Sequence, residues 1–594
     1  MKKRLSLLFF GMMLCLGAVL AQTPVSGVVT AASDNQPLFG AHVSADGGRT
    51  FTATDEAGKF SLTIKGKNHN ITVSYLGMQS QTLKGDTDMK IALKDAQSLG
   101  EVVVTGLTKT DRRMFTGAAD KVDAATARLS GVADVSRSLE GRAAGVSVQN
   151  VSGTFGAAPK IRVRGATSIF GASKPLWVVD GVIMEDVANV DADNLASGNA
   201  ETLISSAIAG LNADDIESFQ ILKDGSATSI YGARAMSGVI VVTTKKGKQG
   251  QSHVNYTGEF TTRLIPSYSN FDILNSQHQM SIYRELHDRG WLNFSEVLNG
   301  SDYGVYGHMY ELINTFNPRT GQFALANTEE ARNTYLRQAE FRNTNWFKHL
   351  FSNAIMQNHS VSLSGGTEKS NYYASMSAML DPGWYKQSEV NRYTANFNVT
   401  QHLLENLSFN VIGGASYRKQ RAPGTLGQDV DVVDGEVKRD FDINPYSYAL
   451  NTSRVLDPHT YYVANYAPFN IFNELDNNFI NLNVLDAKFQ FELKYKPIAG
   501  LELAALGAFK YAATSQEHNV TENSNQAMTY RAMSNAIIRN SNRYLYRDPE
   551  HPYDLPMSVL PIGGIYHKNE NRMSNYDFRT TATYTHTFDQ KHTI

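Results

Sequence analysis

The sequence predicts a mainly β protein with three parts: a small N-terminal β-sandwich, an α+β domain, and the first roughly eight strands of a large antiparallel transmembrane β-barrel. Its composition is that of a strand-rich chain, because only 19% of the 594 residues are charged and aromatic residues reach 10%. Apolar and polar residues alternate over long stretches, which is the period of a strand with two different faces. A mean hydropathy of −0.31 excludes a helical membrane protein.

Charge and cysteine content remove further classes of protein. The 55 basic and 57 acidic side chains give a net charge of −2, whereas a nucleic-acid binder needs a basic footprint. The single cysteine, Cys15, lies in an N-terminal leader, so a mature chain without it has no disulfide framework and no thiolate chemistry. That leader, residues 1–21, has a basic start and an apolar run ending at Ala21, which predicts a cleaved signal peptide. A membrane anchor is the weaker alternative, because the run is shorter than about 20 residues.

The first domain is predicted over residues 22–95. Short runs of alternating apolar and polar residues are separated there by Asp, Asn, Gly and Pro, which is the pattern of a small β-sandwich. The runs are Val25–Val29, Ala41–Ala45, Phe60–Ile64, Ile71–Tyr75 and Met89–Leu93. A linker over residues 96–109 follows and contains the β-branched run Glu101–Thr105.

Residues 110–248 have a mixed pattern and predict an α+β domain. Strands are expected at Ile161–Arg164, Leu176–Val179 and Val239–Thr243, with an Asp180–Gly181 turn after the second. One short helix is expected at Val132–Leu139. The segments Asp214–Gln220 and Ser226–Tyr231 look helical at their starts.

From residue 249 to 594, segments of about ten residues are apolar on one face and polar on the other, which is typical of transmembrane β-strands. The alternating runs are Val254–Thr261, Tyr372–Leu380, Tyr393–Val399, Leu407–Tyr417, Ala487–Tyr495, Leu501–Tyr511 and Thr581–Phe588. A soluble sandwich also alternates, but the connections favour the barrel. Leu403–Asn406 and Pro497–Gly500 are short turns, whereas 265–353, 418–478 and 514–570 are long polar loops. In hydrocarbon, such a sheet must close into a barrel because an open edge leaves amides unpaired.

Along its whole length, the sequence resembles the SusC/RagA-like family of TonB-dependent outer-membrane transporters. Several separate motifs occur in the family's order. They are Pro37–Ala41, Thr54–Phe60, Val73–Met78, Leu99–Gly106, Ser138–Val146, Ile161–Gly165, Pro175–Val182, Ile216–Asp224, Ser226–Arg234 and Gly238–Gly247. Departures from the family pattern are Gly100, Leu107–Thr108 and Gly225, and the first two leave the boundaries of the coupling segment open.

The resemblance implies names and roles for these parts. Residues 22–95 resemble the family's carboxypeptidase-regulatory-like extension, 110–248 its plug domain, and 249–594 a partial barrel. The implied TonB-binding residues are Glu101, Val102, Val103, Val104, Thr105 and Gly106. The plug-motif residues are Gly141, Arg142, Gly145, Arg162, Arg164, Gly165, Asp180, Gly181, Lys223, Asp224, Tyr231, Gly232, Arg234 and Gly238.

The coupling segment has a simple physical interpretation. An extended β-branched run can add itself as a strand to the sheet edge of a partner, with backbone hydrogen bonds supplying the affinity. The alternative is that Glu101–Thr105 forms the last strand of the extension or the first strand of the plug. For the plug cations Arg162, Arg164 and Arg234, pairing with acids of the barrel wall and exposure to solvent are equally compatible with the sequence.

The function that the resemblance implies is TonB-dependent import of an oligosaccharide or peptide across the outer membrane. Its implied partners are TonB with ExbB and ExbD, driven by the inner-membrane proton gradient, and a SusD-like surface lipoprotein, with outer-membrane lipid around the barrel. The extension and plug are expected on the periplasmic side. The alternatives are a siderophore or cobalamin receptor, and a surface adhesin or receptor without energised transport.

Catalysis, cofactors and metals are not expected. The only suggestive spacing, His308 and Glu311, is near chance in a chain with 15 histidines and has no evident third ligand. No catalytic or phosphate-binding motif accompanies it. The loops contain aromatic residues that can stack on cargo, although girdle or packing roles are favoured for each one. These are Trp291, Trp346, Trp384, Tyr461, Tyr462 and Tyr466.

Length sets a final expectation. A plugged transporter barrel needs about 22 strands, and roughly eight fit after Ser252 at the usual spacing. The sequence is therefore expected to be an N-terminal part of a longer barrel, which alone would leave an open sheet edge.

Overall fold

The structure is a computed structural model, and it describes residues 23–32, 36–45, 50–64, 70–75, 78, 80–93, 102–107, 109–112, 115–129, 131–132, 134–149, 159–165, 174–185, 208, 210–424, 428–431, 436–439, 443–585, 587–588 and 592–593. The predicted signal peptide, Cys15 and Glu101 lie outside the described residues. The chain forms two compact units, residues 1–103 with 109–115, and residues 104–108 with 116–594.

The first unit contains the expected sandwich. Its strands are β1 (Thr23–Ala31), β2 (His42–Ala45), β3 (Thr50–Ala53), β4 (Lys59–Ile64), β5 (Asn70–Ser74), β6 (Gln81–Lys84) and β7 (Met89–Leu93). They form two sheets with the orders β4-β1-β7 and β3-β2-β5-β6. Every second residue of a strand points inward, so that Val25, Val43, Leu62 and Ile71 fill one apolar core.

The linker and the plug domain follow in sequence. Their strands are β8 (Val102–Val104), β9 (Lys109–Asp111), β10 (Ala119–Asp123), β11 (Val146–Gln149), β12 (Lys160–Val163), β13 (Leu176–Val179), β14 (Val182–Met184), β15 (Ile216–Leu222) and β16 (Val239–Thr244). β8 pairs with β9, β11 pairs with β12, and the remaining plug strands form a five-stranded sheet in the order β10-β15-β16-β13-β14. An apolar cluster that includes Leu139, Phe219, Ile221 and Ile240 packs against this sheet.

The rest of the second unit is dominated by one large antiparallel sheet, which we call the wall. The strands in this part are β17 (Gly250–Arg263), β18 (Phe316–Asn317), β19 (Gln322–Phe323), β20 (Ala354–Gly366), β21 (Ser370–Asp381), β22 (Glu389–Leu404), β23 (Leu407–Pro423), β24 (Gln428–Asp431), β25 (Glu436–Arg439), β26 (Tyr462–Ala464), β27 (Ala467–Phe469), β28 (Asn478–Ile498), β29 (Leu501–Val520), β30 (Ile565–Tyr584), β31 (Thr587–Phe588) and β32 (His592–Thr593). The wall has eight strands in the order β17-β20-β21-β22-β23-β28-β29-β30. Its edges in the described part are therefore β17 and β30, as an open sheet requires.

Helices lie between the strands. The α-helices are Ala124–Ala127, Gly225–Thr228, Ser276–Asp288, Phe294–Leu298, Val305–Asn314, Glu329–Arg342, Trp346–Leu350, Pro445–Asn451, Ile471–Asn477, Asn525–Thr529 and Ala536–Ser541, and the 3₁₀ helices are Val135–Leu139, Ala213–Asp215, Ser229–Ala235 and Tyr268–Asn270. Most of the longer helices fall in the connections 264–353, 424–477 and 521–564. Aromatic clusters pack these connections together, one around Trp346 and Phe347 and another around Tyr306 and Tyr310. No helix among the described residues is long and apolar enough to cross a membrane.

The structure corrects several details predicted from the sequence. Wall strands are 12 to 21 residues long rather than about ten. Four parts of the predicted loops, 418–423, Asn478, 514–520 and 565–570, therefore belong to strands. Only Asp214 and Asp215 of the segment Asp214–Gln220, which was expected to start as a helix, are helical, in the 3₁₀ helix Ala213–Asp215. The rest is strand, because Ile216–Leu222 pairs with β10 on one side and β16 on the other. The expected helix Val132–Leu139 is a 3₁₀ helix limited to Val135–Leu139. Strand β20 is absent from the sequence-based expectations.

Candidate functional site

The candidate site is the place where the coupling segment meets the plug. Val102–Val104 form strand β8, and Thr105, only 3% exposed, follows it. The phenol of Tyr231 donates a hydrogen bond of 2.5 Å to the backbone carbonyl of Thr105. Gly106 comes next with φ of +84°, a conformation that favours glycine. Val102–Val104 are therefore extended and paired with β9, and the two residues that follow them are packed on the plug.

A tight turn of the plug lies directly against Gly106. Asp180 and Gly181 join β13 to β14 and have φ values of +50° and +87°, which is the pattern of a two-residue hairpin turn. The Asp180 carboxylate accepts hydrogen bonds from the N–H and the hydroxyl of Thr244, at 2.9 and 2.8 Å. A Cβ on Gly181 would lie 2.6 Å from the carbonyl oxygen of Gly106. The turn can therefore approach the coupling segment this closely only with glycine.

The wall holds the same turn by its backbone. Lys488 Nζ donates to the Val179 carbonyl at 3.1 Å, Gln490 Nε2 to the Asp180 carbonyl at 2.9 Å, and Arg579 Nη2 to the Gly181 carbonyl at 2.7 Å. Three consecutive carbonyls of the plug thus each receive one donor from β28 or β30. Because the Arg579 guanidinium is cationic, its hydrogen bond is of the stronger, charge-assisted kind.

A second group of contacts joins the plug to the opposite edge of the wall. The Arg128 guanidinium contacts Asp214 of the plug at 2.5 Å and Glu259 of β17 at 2.7 Å. Glu259 also accepts from the backbone N–H of Gly131 at 3.0 Å. Burial raises the pKa of Asp214, and the positive charges of Arg128 and Lys245 act against that shift. The network therefore holds two carboxylates around one guanidinium.

Between these groups, polar side chains connect the plug to the middle of the wall. The Asp215 carboxylate accepts from the Tyr373 hydroxyl at 2.8 Å and from Asn396 Nδ2 at 2.7 Å. Asn212 Nδ2 donates to Ser360 Oγ at 3.2 Å. A cavity of about 60 Å³ lies beside Asp215 and Lys488, which is room for several water molecules. Hydrogen bonds between polar side chains therefore contribute to the boundary between the plug and the wall.

The remaining predicted plug residues support the fold around this site. Gly141, Gly145, Gly165, Gly232 and Gly238 all have positive φ, and the Gly145 carbonyl accepts from the Arg164 N–H at 2.7 Å. Arg142 is exposed, Arg162 lies in β12, and Arg164 itself has a positive φ. These residues surround the hairpin β11–β12 and the end of β15.

Two predicted residues, Lys223 and Asp224, fix the end of strand β15. Lys223 pairs with Asp120 of β10. Asp224 accepts from the N–H groups of Ala118 and Ala227, both at 2.8 Å. Slight burial acts to raise the pKa of Asp224, but these backbone donors outweigh it and lower the pKa. The pair therefore anchors the sheet and its following helix.

Arg234 does not have the wall partner that the sequence allowed. Its guanidinium lies 3.2 Å from Glu185 within the plug. Among the described residues, the plug cation that reaches a wall carboxylate is Arg128, which sequence analysis did not select. Lys488, Gln490 and Arg579 were also missed. Their position on the polar face of the wall strands could have indicated them, because in a plugged barrel the polar face points to the plug.

The structure also clarifies the residues considered for catalysis. His308 and Glu311 lie on the helix Val305–Asn314 rather than in an irregular loop. His308 Nδ1 is 2.7 Å from the Tyr335 hydroxyl, and Glu311 accepts from the Tyr303 hydroxyl at 3.2 Å. Burial lowers the pKa of His308. Among the residues that the structure describes, no three His, Cys, Asp or Glu side chains are arranged to hold a metal ion.

Comparison with known proteins gives this site its context. The CarboxypepD_reg-like domain family matches residues 25–104, and the TonB-dependent Receptor Plug Domain family matches residues 111–239. The TonB-dependent receptor SusC of Bacteroides thetaiotaomicron is 32% identical over 413 residues, which are 69% of this chain and 35% of SusC. The chain is homologous to SusC and carries the plug domain of TonB-dependent receptors.

Other known proteins are similar to this chain in sequence or in fold. TonB-dependent receptor P26 of Formosa agariphila is 29% identical over 415 residues, which are 69% of this chain and 36% of P26. The solved RagAB peptide importer in its closed-closed state has the same fold, with a TM-score of 0.55 at 21% identity over 80% of this chain and 46% of that one. The chain spans about a third of the length of the curated receptors it matches. These relatives are receptors or transporters and not enzymes.

Proposed function

We propose that the protein acts in TonB-dependent import of an oligomeric nutrient, an oligosaccharide or a peptide, across the outer membrane. The plug blocks the path enclosed by the wall, and a pull by TonB on the coupling segment displaces it. Energy comes from the inner-membrane proton gradient through ExbB and ExbD. The signal peptide of residues 1–21 directs export, and the extension and plug lie on the periplasmic side.

The single observation that carries this proposal is the polarity of the wall. Large apolar side chains point away from the plug and stay exposed, among them Tyr256 at 63%, Phe397 at 41% and Phe578 at 80%. Polar side chains point inward and are buried, such as Arg392, Gln490 and Lys510. An exposed apolar band of this size is unfavourable in water and favourable in the hydrocarbon of a membrane. We therefore place the wall in the outer membrane.

The contacts of the plug support a role as a removable stopper. Described plug residues reach all eight wall strands, through polar atoms or close glycine packing. Their described contacts include these hydrogen bonds, and the cavity beside Asp215 has room for several water molecules. Hydrogen bonds can be exchanged with water at a net cost of about 0.5–1.5 kcal/mol each. A force applied at one point can break such contacts one after another.

The chemical class of the cargo is proposed from the relatives. RagAB is described as a peptide importer, and SusC as a TonB-dependent receptor. We propose capture of the cargo together with a SusD-like surface lipoprotein at the end of the wall where the long connections gather. Trp346 and Tyr462 are buried there and serve packing, whereas Trp291 is 70% and Tyr461 49% exposed. The exposed pair is available to a ligand.

The coupling role can be tested with one matched pair of variants. Val102 is 42% exposed, so Val102→Ala retains the backbone donor and loses little packing, whereas Val102→Pro removes that donor. Strand addition depends on backbone hydrogen bonds. We expect Val102→Pro to abolish binding of the C-terminal domain of TonB to the full-length protein, and to abolish uptake, while Val102→Ala retains both. Equal binding by both variants would contradict the proposal.

The cargo is tested by purifying the protein from native membranes with its partners. Mass spectrometry of the bound material is expected to find oligosaccharide or peptide together with a SusD-like lipoprotein. A bound metal chelate instead would identify a siderophore-type receptor. Growth on the cargo that does not depend on TonB would point to a surface receptor without energised transport.

A further inference from the structure

Thr105 and Gly106, which follow strand β8, pack closely against Val178, Gly181 and Tyr231 of the plug, and we call this packing site the seat. A Cβ on Gly106 would lie 2.5 Å from the Tyr231 hydroxyl oxygen and 3.0 Å from Val178 Cγ1. On the other side, the Gly106 carbonyl touches Gly181, where a Cβ would lie 2.6 Å away. Two glycines with positive φ thus let three segments of the plug meet at one point.

The Tyr231 hydroxyl donates a hydrogen bond to the backbone carbonyl of Thr105 and so joins this seat directly to the coupling segment. The ring is 6% exposed and belongs to the 3₁₀ segment Ser229–Ala235. Burial raises the pKa of the Tyr231 phenol above its usual value, so the hydroxyl keeps its proton and remains a donor. Arg579 and Asp577 of β30 are the charged groups that influence it.

The seat is tied to the wall through the Asp180–Gly181 turn. Arg579 donates to the carbonyl of Gly181, the residue that contacts Gly106. Lys488 and Gln490 hold the two preceding carbonyls. Gly106 therefore contacts both the Tyr231 hydroxyl and the Asp180–Gly181 turn, and the wall donors hold that turn.

We propose that Tyr231 is a positioning residue that holds the coupling segment on the plug, and that its bond to the Thr105 carbonyl must break before the segment can pair with a partner strand. This inference rests on the proposed coupling role of the segment. It assigns to Tyr231 the regulation of that role. In the seated state Thr105 is buried, and the released segment has Thr105 exposed and its backbone available.

The test measures release without TonB. The full-length protein is studied in isolated outer membranes and carries the substitutions Cys15→Ser and Thr105→Cys. The new thiol at position 105 is expected to react with a maleimide only after the coupling segment is released. Tyr231→Phe keeps the ring and removes one hydrogen bond, so we expect labelling to become about two- to tenfold faster, the range that one net hydrogen bond allows. Gly106→Ala adds a Cβ beside the Tyr231 oxygen and is expected to give faster labelling than Tyr231→Phe.

Tyr373→Phe is the matched control. It removes one plug–wall hydrogen bond, to Asp215, but none to the coupling segment, and should leave the labelling rate unchanged. Labelling of Tyr231→Phe at the parent rate would overturn the proposal. So would equal acceleration in Tyr373→Phe, because that indicates general loosening of the plug. If Tyr231→Phe accelerates labelling but TonB binds no variant, the seat stands and the proposed coupling function fails.

Discussion

The N-terminal sandwich and the wall are both built from strands with alternating apolar and polar residues, yet they bury opposite faces. In the sandwich, Val25, Val43 and Ile71 are fully buried, and Thr54 is the buried polar residue among those described. Its hydroxyl is satisfied, since it donates to the Leu38 carbonyl at 2.5 Å and accepts from the Ala41 N–H at 2.8 Å. In the wall, the apolar face is exposed and the polar face is buried against the plug.

This difference shows what an alternating pattern can and cannot determine. An apolar–polar alternation of period two gives a strand two unlike faces. Whether the apolar or the polar face is buried depends on what packs against each face. In the sandwich a second sheet covers the apolar face, so apolar burial stabilises it. In the wall the plug covers the polar face, so hydrogen bonds specify the fit and lipid is expected on the other side. The two regions should therefore respond differently to the same substitutions.

The largest effect is expected from truncation of the sandwich core. Ile71→Ala leaves a cavity in a fully buried position and should lower the free energy of unfolding of the sandwich by about 2–5 kcal/mol. Phe51→Ala removes a larger side chain that is 65% exposed and should cost less than about 0.5 kcal/mol. Hydrogen exchange of the β1, β2 and β5 amides measures both. Equal costs would mean that the alternation does not define the core.

The next effect sharpens the comparison on the outer face of the wall. Phe397 lies midway along β22 and is 41% exposed. In a bilayer, Phe397→Arg should cost about 2–4 kcal/mol in the free energy of folding, while Phe397→Leu should be nearly neutral. Folding into vesicles across a urea series measures this. If arginine is tolerated as well as leucine, the outer face does not contact lipid, and the wall resembles a soluble sheet.

The sequence predicted those parts of the molecule in which neighbours along the chain decide the structure. Five of the seven described sandwich strands, the Asp180–Gly181 turn and seven of the eight described wall strands follow from local alternation and turn residues, whereas β3 and β6 were not predicted. Strand β20 was missed because Gln357 and His359 occupy outward positions, where His359 Nδ1 lies 2.7 Å from the Tyr256 hydroxyl. That contact lies between strands, and no local pattern contains it.

The candidate site was predictable only in part, for a related reason. Asp180, Gly181 and Tyr231 were selected through motifs, and the structure brings them to Thr105 and Gly106. Their wall donors, Lys488, Gln490 and Arg579, lie more than three hundred residues away in sequence and bind backbone carbonyls. Every residue has a backbone carbonyl, so the plug residues that accept these hydrogen bonds cannot be recognised from their residue types.

A smaller effect tests the buried polar boundary. Lys488→Met retains the volume of the side chain but leaves the Val179 carbonyl without its donor of 3.1 Å. A buried acceptor left unpaired costs about 1–3 kcal/mol, so exchange of the amides around β13 and β14 should become faster. Lys494→Met, on the more exposed part of the same strand, is the control and should have little effect. An unchanged rate for Lys488→Met would show that the wall does not hold the turn.

The smallest expected effect depends on pH and arises from a buried carboxyl group, of which the described part of the sandwich has none. Glu474, 1% exposed on the helix Ile471–Asn477, accepts from the Asn525 N–H at 2.7 Å. Burial raises its pKa above the ordinary value of 4.5, so the folded state binds this proton more tightly than the unfolded chain. The free energy of unfolding should therefore fall as pH rises from about 4.5 through the raised pKa.

Replacing the carboxyl group by an amide removes this dependence. At pH 7, Glu474→Gln should stabilise the connections around Glu474 by at most about 1 kcal/mol, because glutamine retains only one of the two acceptor oxygens. At a pH below 4.5, where the parent carboxyl group is protonated in both states, the gain should vanish. Thermal melts of the two proteins across pH measure the difference, with the exposed Glu405→Gln as control. A gain that is constant with pH would assign the effect to packing instead of to the charge on Glu474.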